Sequence, residues 1–258
     1  NTPGRPWVKD LQDGGVYSPD TATTYTRYNP VTIQWTQPND NGTNYNGHFT
    51  GPGGVTSYMI FNGNNPVTGW ITGTQYSMEL NNNTTYTLRL KARDYDNNIS
   101  DYGLTRTVIA DRTPPSGSLA IQGTDPNNRY TNSANITLSI TNIKDINGSG
   151  IDKIRFGNAN NEKDYSAWEP CNSGSFTKYN WQLPGGDGPK TVYAQLKDKV
   201  GNIATLQQSI ILDTTPPQNG MIVINDGEPY THDSNVSLTL SASDSSGVTG
   251  MRFSNNGK

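Results

Sequence analysis

Cysteine is all but missing from this sequence. Cys171 stands alone among 258 residues, so no disulfide can close within the chain and no multi-cysteine metal centre can form. Its plain reading is a small, half-buried residue. Histidine is nearly as scarce: His48 and His232 lie far apart and neither adjoins a nucleophile motif, which argues against a catalytic triad. The glutamates, Glu79, Glu162, Glu169 and Glu228, are too few and scattered to announce the paired carboxylates of a glycosidase. With charged residues at 16% and a net charge of −3, the chain offers no basic face for phosphates, so nucleic acid is not an expected partner. No apolar run approaches the roughly 20 residues of a spanning helix, and this segment is not expected to insert into a membrane. It starts at Asn1 with neither Met nor a signal sequence, which reads as a processed or excised segment.

What is plentiful is Asn, Thr, Ser, Gly and Tyr. That composition suits short strands joined by polar turns, and it lacks the Leu, Ala, Glu and Lys of helical proteins. The expected fold class is all-β. "VIADRTPPSG" at 108–117 and "IILDTTPPQNG" at 210–220 repeat the pattern Asp-x-Thr-Pro-Pro directly after a β-branched run. Two successive prolines cannot extend a ladder, so Pro114-Pro115 and Pro216-Pro217 mark stiff linkers that end one domain and begin the next.

Self-alignment supports the same division. "YTNSANITLSI" from Tyr130 matches "YTHDSNVSLTL" from Tyr230, and the alternation aims Ile136, Leu138 and Ile140 in one, and Val236, Leu238 and Leu240 in the other, at a core. "NGSGIDKIRFGN" likewise matches "DSSGVTGMRFSN", after which the third unit stops at Lys258 with about half a domain lacking. The first unit aims Val31, Ile33 and Trp35, then Tyr86, Leu88, Leu90 and Ala92, inward; in the second the corresponding strand carries Val192, Ala194 and Leu196. Both strands run into Asp-x-x-x-Asn, Asp94 to Asn98 and Asp198 to Asn202, with Asn97 or Gly201 where a tight turn needs a left-handed residue. The expected boundaries are an N-terminal segment 1–13, sandwiches over 14–112 and 113–214, and an incomplete repeat over 215–258.

The first unit resembles a fibronectin type III domain in its "VTIQW", with Trp35, its "TTYTLRLKA", with Tyr86, and its "ARDYDNNIS" loop, in which Asn97 replaces the family's usual Gly. The second and third resemble bacterial immunoglobulin-like repeats of the DTTPP type: residues 146–217 carry "SAWEP", "WQLPGGDGPKTVYAQLKD" and "ILDTTPP". The resemblance implies tandem β-sandwiches with Trp35, Tyr86, Trp168 and Trp181 in structural positions. It also implies a secreted or surface address on a bacterium or archaeon, and says little about chemistry.

From these readings we expect no enzyme but an extracellular structural or adhesive spacer, whose partners are other domains of a longer chain or neighbouring copies of itself. One alternative is a fibre subunit in which strand complementation completes the third repeat, with "NTPGRPWVKDLQDGGVY", residues 1–17, a candidate donor. Another is a carbohydrate-binding module of a larger extracellular enzyme, with polysaccharide as partner and Tyr45, His48 and Phe49, in the long loop 39–54, together with Trp70 as the binding aromatics. Trp7, Tyr25 and Tyr28 are further exposed candidates. No cofactor is expected, calcium being the one ion the loops suggest: Asp94, Asp96, Asn98 and Asp101 place oxygen ligands close together, although without the central Gly and final Glu of an EF-hand. Asp111 and Asp213, beside the linkers, are candidates for a junction ion. Asn41, Asn83, Asn98, Asn135, Asn147 and Asn235 lie in Asn-x-Ser/Thr triplets, a weak sign of surface exposure.

Overall fold

A computed structural model describes residues 7–9, 23–37, 54–95 and 97–254. These residues contain strands and one short 3₁₀ turn, Asn225–Gly227, and no helix long and apolar enough to cross a membrane. The architecture is all-β.

The first sandwich begins with β1 (Trp7–Lys9), β2 (Thr23–Thr26), β3 (Val31–Gln34) and β4 (Val55–Asn62). It continues with β5 (Asn65–Pro66), β6 (Gln75–Met78), β7 (Thr85–Asp94) and β8 (Arg106–Ala110). One sheet has the order β1-β3-β6 and the other β2-β8-β7-β4-β5. β7 lies antiparallel to β4, with Ile60 opposite Leu90, while β2 runs parallel to β8. Alternation in β3, β4, β7 and β8 sends Val31, Ile33, Tyr58, Ile60, Leu88, Leu90, Ala92 and Val108 into one core with Trp35, as the period-2 pattern requires. Burying a Leu or Ile side chain contributes about 1.5–3 kcal/mol. β1 is antiparallel to β3, with Val8 opposite Ile33. Trp7–Lys9, part of the segment that the sequence offers as a donor to another subunit, is therefore paired within its own chain.

The second sandwich comprises β9 (Ser116–Ile121), β10 (Tyr130–Thr131), β11 (Asn135–Lys144), β12 (Ile151–Gly157), β13 (Glu169–Pro170), β14 (Gly174–Gln182), β15 (Gly188–Asp198) and β16 (Ile203–Leu212). Its sheets are β14-β11-β9 and β10-β16-β15-β12-β13. Ile136, Leu138, Ile140, Val192, Ala194 and Leu196 are all buried. Every non-glycine residue of positive φ among the described residues is Asn or Asp. Their short polar side chains tolerate the left-handed region, so the Asn-rich composition is put to use in turns.

In the third repeat β17 (Gln218–Ile224) pairs with β18 (Leu238–Ser243), with Ile222 opposite Leu240 and Ile224 opposite Leu238. The expected core face does not form a core here. Val236 and Leu238 are exposed, as are Met221, Ile222, Ile224 and Phe253, because a two-stranded ribbon has no second sheet among the described residues to lie against it.

By contacts the chain divides into two compact units. The first is Asn1–Ser116 with Lys144–Lys153 and Leu196–Ala204; the second is Gly117–Ile143, Ile154–Gln195 and Thr205–Lys258.

Candidate metal centre

Three strand ends of the first unit deliver carboxylates to one place. β8 is followed by Asp111, whose N–H donates to Thr26 O at 2.7 Å and so carries the pairing with β2 one residue past the strand. The side chain of Asp111, 0% exposed, accepts from Thr113 N–H on Oδ1 at 3.3 Å and from Ser149 N–H on Oδ2 at 2.6 Å. An Asp receiving a backbone N–H two residues on makes a local turn, which is what the linker spelling Asp-x-Thr requires.

β11 is followed by Asp145. Its Oδ2 accepts Gly150 N–H at 2.7 Å, which folds the loop 145–150 back on itself. A Cβ at Gly148 would overlap the Asp145 carboxylate, so a side chain there would have to displace it. β15 ends in Asp198, 1% exposed, whose two oxygens accept from Asn202 N–H at 2.8 Å and Asn202 Nδ2 at 2.7 Å. Asn202 Nδ2 also reaches Asp111 O at 3.0 Å, linking two of the three elements.

The result is one carboxylate oxygen from each of Asp111, Asp145 and Asp198, all within 4.8 Å of one another. Burial pushes the Asp145 carboxyl up from its ordinary range; Gly150 N–H opposes this, and the Asp111 and Asp198 charges add to it. Burial likewise raises Asp198 against its Asn202 bonds, and Asp111 again adds to the rise. Like charges this close cannot all ionise cheaply. Such a trio can hold protons or a hard cation, since its ligands are all oxygen.

The residues singled out in the sequence fall elsewhere, apart from Asp111. Asp94 spends both oxygens on Asn98, on its N–H at 2.8 Å and its Nδ2 at 2.9 Å, so Asn98 serves there as a donor. Asp101 is exposed and Asp96 lies outside the described residues. Asp213, the second linker aspartate, accepts from Thr215 N–H and from the Ser245 hydroxyl at 2.7 Å. The Ser245 and Ser246 hydroxyls hold it below the usual carboxylate range, and among the described residues it joins no carboxylate trio.

Tyr45, His48 and Phe49 lie outside the described residues. Trp70 is half-buried with the Arg93 guanidinium 4.7 Å from its ring centroid, so one face is already covered. Trp35 is buried edge-on to Tyr58, and the Tyr86 hydroxyl accepts Asn81 N–H. Tyr25 and Tyr28 are half-buried. Pro115 is buried, whereas Pro114, Pro216 and Pro217 are exposed.

Trp168 and Trp181 are half-buried. Trp168 belongs to a clasp that the sequence reasoning missed: Arg155 lies 4.4 Å from the Trp168 ring and 4.5 Å from Tyr165, donates to both Glu162 oxygens and reaches Gln195 at 2.8 Å. The "RF" and "WEP" spellings were visible, but nothing in them says that they meet. Asp145 and Asp198 were missed as site residues for the same reason.

No family model matches the chain, and no curated protein matches it. Among solved structures it is similar to the fibronectin(III)-like modules of CbhA from Clostridium thermocellum, with 13% identity over 74% of this chain and 88% of that one and a TM-score of 0.34. It is also similar to a tetra-tandem repeat from the extending region of a large adhesion protein, at 15% identity over 82% and 49% with a TM-score of 0.30. A third is SGBP-B of the mixed-linkage glucan utilization locus of Bacteroides ovatus, solved with a mixed-linkage heptasaccharide, at 12% identity over 81% and 47% with a TM-score of 0.26. The chain spans about half the length of the last two. Likenesses this distant assign it no ligand and no partner.

Proposed function

We propose that this chain is a non-catalytic, extracellular structural and adhesive spacer of a bacterial or archaeal surface or secreted protein. The observation that carries the reading is that one connector is fastened twice by the same device. Asp111 receives Thr113 N–H on one oxygen and Ser149 N–H on the other; Asp213 receives Thr215 N–H on one and the Ser245 hydroxyl on the other. In each case an aspartate stiffens the Thr-Pro-Pro segment and also grips the Ser-Gly loop that follows. Proline fixes φ and removes a donor, so such a connector resists bending. Repeating a stiff connector suits a chain whose task is reach, and its sparsely charged, Asn- and Thr-rich surface suits an exposed location.

The test is force spectroscopy of the intact chain held between handles. Expected are separate unfolding events, each releasing roughly 30 nm of chain for a domain of about 100 residues. Replacing Thr113-Pro114-Pro115 by Gly-Ser-Gly should keep the events and widen the spread of extensions before the first one. Turnover of polysaccharides by the intact chain, or an unchanged spread in the Gly-Ser-Gly variant, would overturn the reading.

A second reading is favoured by the uncovered apolar face of β17 and β18: a fibre subunit whose third repeat is completed by a strand from another copy. It predicts oligomers by light scattering that grow with concentration and vanish in Ile222→Glu. A concentration-independent monomer sinks it.

A further inference from the structure

We propose that Asp111, Asp145 and Asp198 bind a divalent cation, calcium by size and ligand type, with the Ser149 hydroxyl as a fourth protein oxygen. The three carboxylates converge within 4.8 Å although two of them are almost wholly buried. Desolvating an anion is expensive unless it is paired or bound to metal, and here buried carboxylates face one another.

Two atoms indicate that a ligand belongs there. Asp145 Oδ1 and Ser149 Oγ are both sealed from solvent and have no hydrogen-bond partner among the described residues. Ser149 as a whole is 8% exposed, and its own N–H sits on Asp111 Oδ2, which places the residue beside the trio. A buried polar atom left unpaired loses its hydration with nothing in return, so each such atom demands an explanation. A bound cation satisfies both at once. Gly148 leaves room for the whole Asp145 carboxylate, which a Cβ at 148 would overlap.

The ligand set selects the ion. Carboxylates and a hydroxyl are hard oxygen donors, which excludes a preference for softer thiolate- or imidazole-binding metals. Calcium accepts ligands at about 2.3–2.6 Å in flexible, irregular geometry, whereas magnesium demands about 2.0–2.1 Å and a regular octahedron. Three carboxylates reaching in from separate strand ends and a folded loop fit the larger, more tolerant ion.

The experiment uses the full chain, stripped with chelator and titrated with calcium chloride at pH 7 by calorimetry, with melting followed in parallel. Expected are one binding event per chain and a rise in Tm of about 5 °C at about 5 mM calcium, as for a site of about 10⁻⁴–10⁻³ M affinity. Asp145→Asn should lose the calcium-dependent rise. Ser149→Ala, which removes one neutral ligand and leaves the fold intact, should weaken binding about 3–10-fold, and Asp94→Asn, at the turn outside the trio, should respond like the parent. No heat and no shift up to about 10 mM calcium would overturn the site. So would a response that survives Asp145→Asn and Ser149→Ala but is lost in Asp94→Asn. An equal Tm rise with magnesium would overturn the choice of calcium.

Discussion

At the ends of β7 and β15 the chain makes the same turn. Asp94 and Asp198 each donate a backbone N–H to the oxygen of the Asn four residues on, at 3.2 and 3.1 Å, and each receives that Asn's N–H on Oδ1 at 2.8 Å. The residue before the Asn has positive φ in both, +66° at Asn97 and +93° at Gly201. The surroundings differ. Asn98 is exposed, and the Asp94 carboxylate is fully used within its own loop. Asn202 is half-buried and shares its amide with Asp111 O, while Asp198 is buried beside two further carboxylates. Local spelling sets the turn; what the turn is used for depends on which distant strand ends arrive beside it.

The largest expected effect tests whether the strands beneath the two turns are equivalent. Leu90 and Leu196 are both fully buried, and replacing either by Ala should cost about 2–5 kcal/mol by urea unfolding. A loss under about 1 kcal/mol for Leu196→Ala would mean that the trio does not rest on a packed strand.

Next come the left-handed positions. A Cβ at Gly201 would sit 3.0 Å from Arg27 Nη1, and φ there is +93°, so Gly201→Val should cost about 1–3 kcal/mol. Asn97→Gly should change stability by less than about 0.5 kcal/mol, because both types accept that conformation. Equal losses at the two positions would erase the distinction between the exposed turn and the crowded one.

A smaller contrast concerns the asparagines. Asn202→Ala leaves Asp198 Oδ2 and Asp111 O without their amide donor and should cost about 1–2 kcal/mol; Asn98→Ala, at the exposed turn, should cost about 0.5 kcal/mol. Thermal melts of the two variants in the same buffer decide it.

Much of this was open to a reading of residues alone. The period-2 faces of Ile136, Leu138 and Ile140, and of Val192, Ala194 and Leu196, are buried as read, because alternation is a local property of a strand. Both Asp-x-x-x-Asn turns formed for the same reason. The trio was not legible. Ser149 meets Asp111 across 38 residues and Asn202 meets it across 91, and no local pattern encodes such a meeting. Val236 and Leu238 show the reverse failure: their alternation is correct, yet a face becomes a core only when another sheet covers it, and among the described residues none does.

The smallest effect separates a carboxylate surrounded by donors from one surrounded by carboxylates. Asp187 accepts Thr214 N–H and the Thr214 and Thr215 hydroxyls at 2.8, 2.7 and 2.5 Å. These bonds, the Thr215 hydroxyl first, lower its pKa to about 2, against an ordinary value near 3.9 in the unfolded chain. A folded pKa below the unfolded one means that the unfolded state takes up the proton first as pH falls. The stability that Asp187 contributes is therefore complete above about pH 4 and is lost on the way down to about pH 2. Asp187→Asn removes that titration while every other carboxylate stays the same, so the gap between parent and variant in urea midpoints should be constant from pH 7 to about 5 and should shrink toward pH 2. The crowded Asp198 is shifted in the opposite direction, so the two kinds of buried or bonded carboxylate leave opposite marks on acid stability. Parallel midpoint curves for parent and Asp187→Asn down to pH 2 would show that the threonine donors do not hold this carboxylate, and the contrast would rest on burial alone.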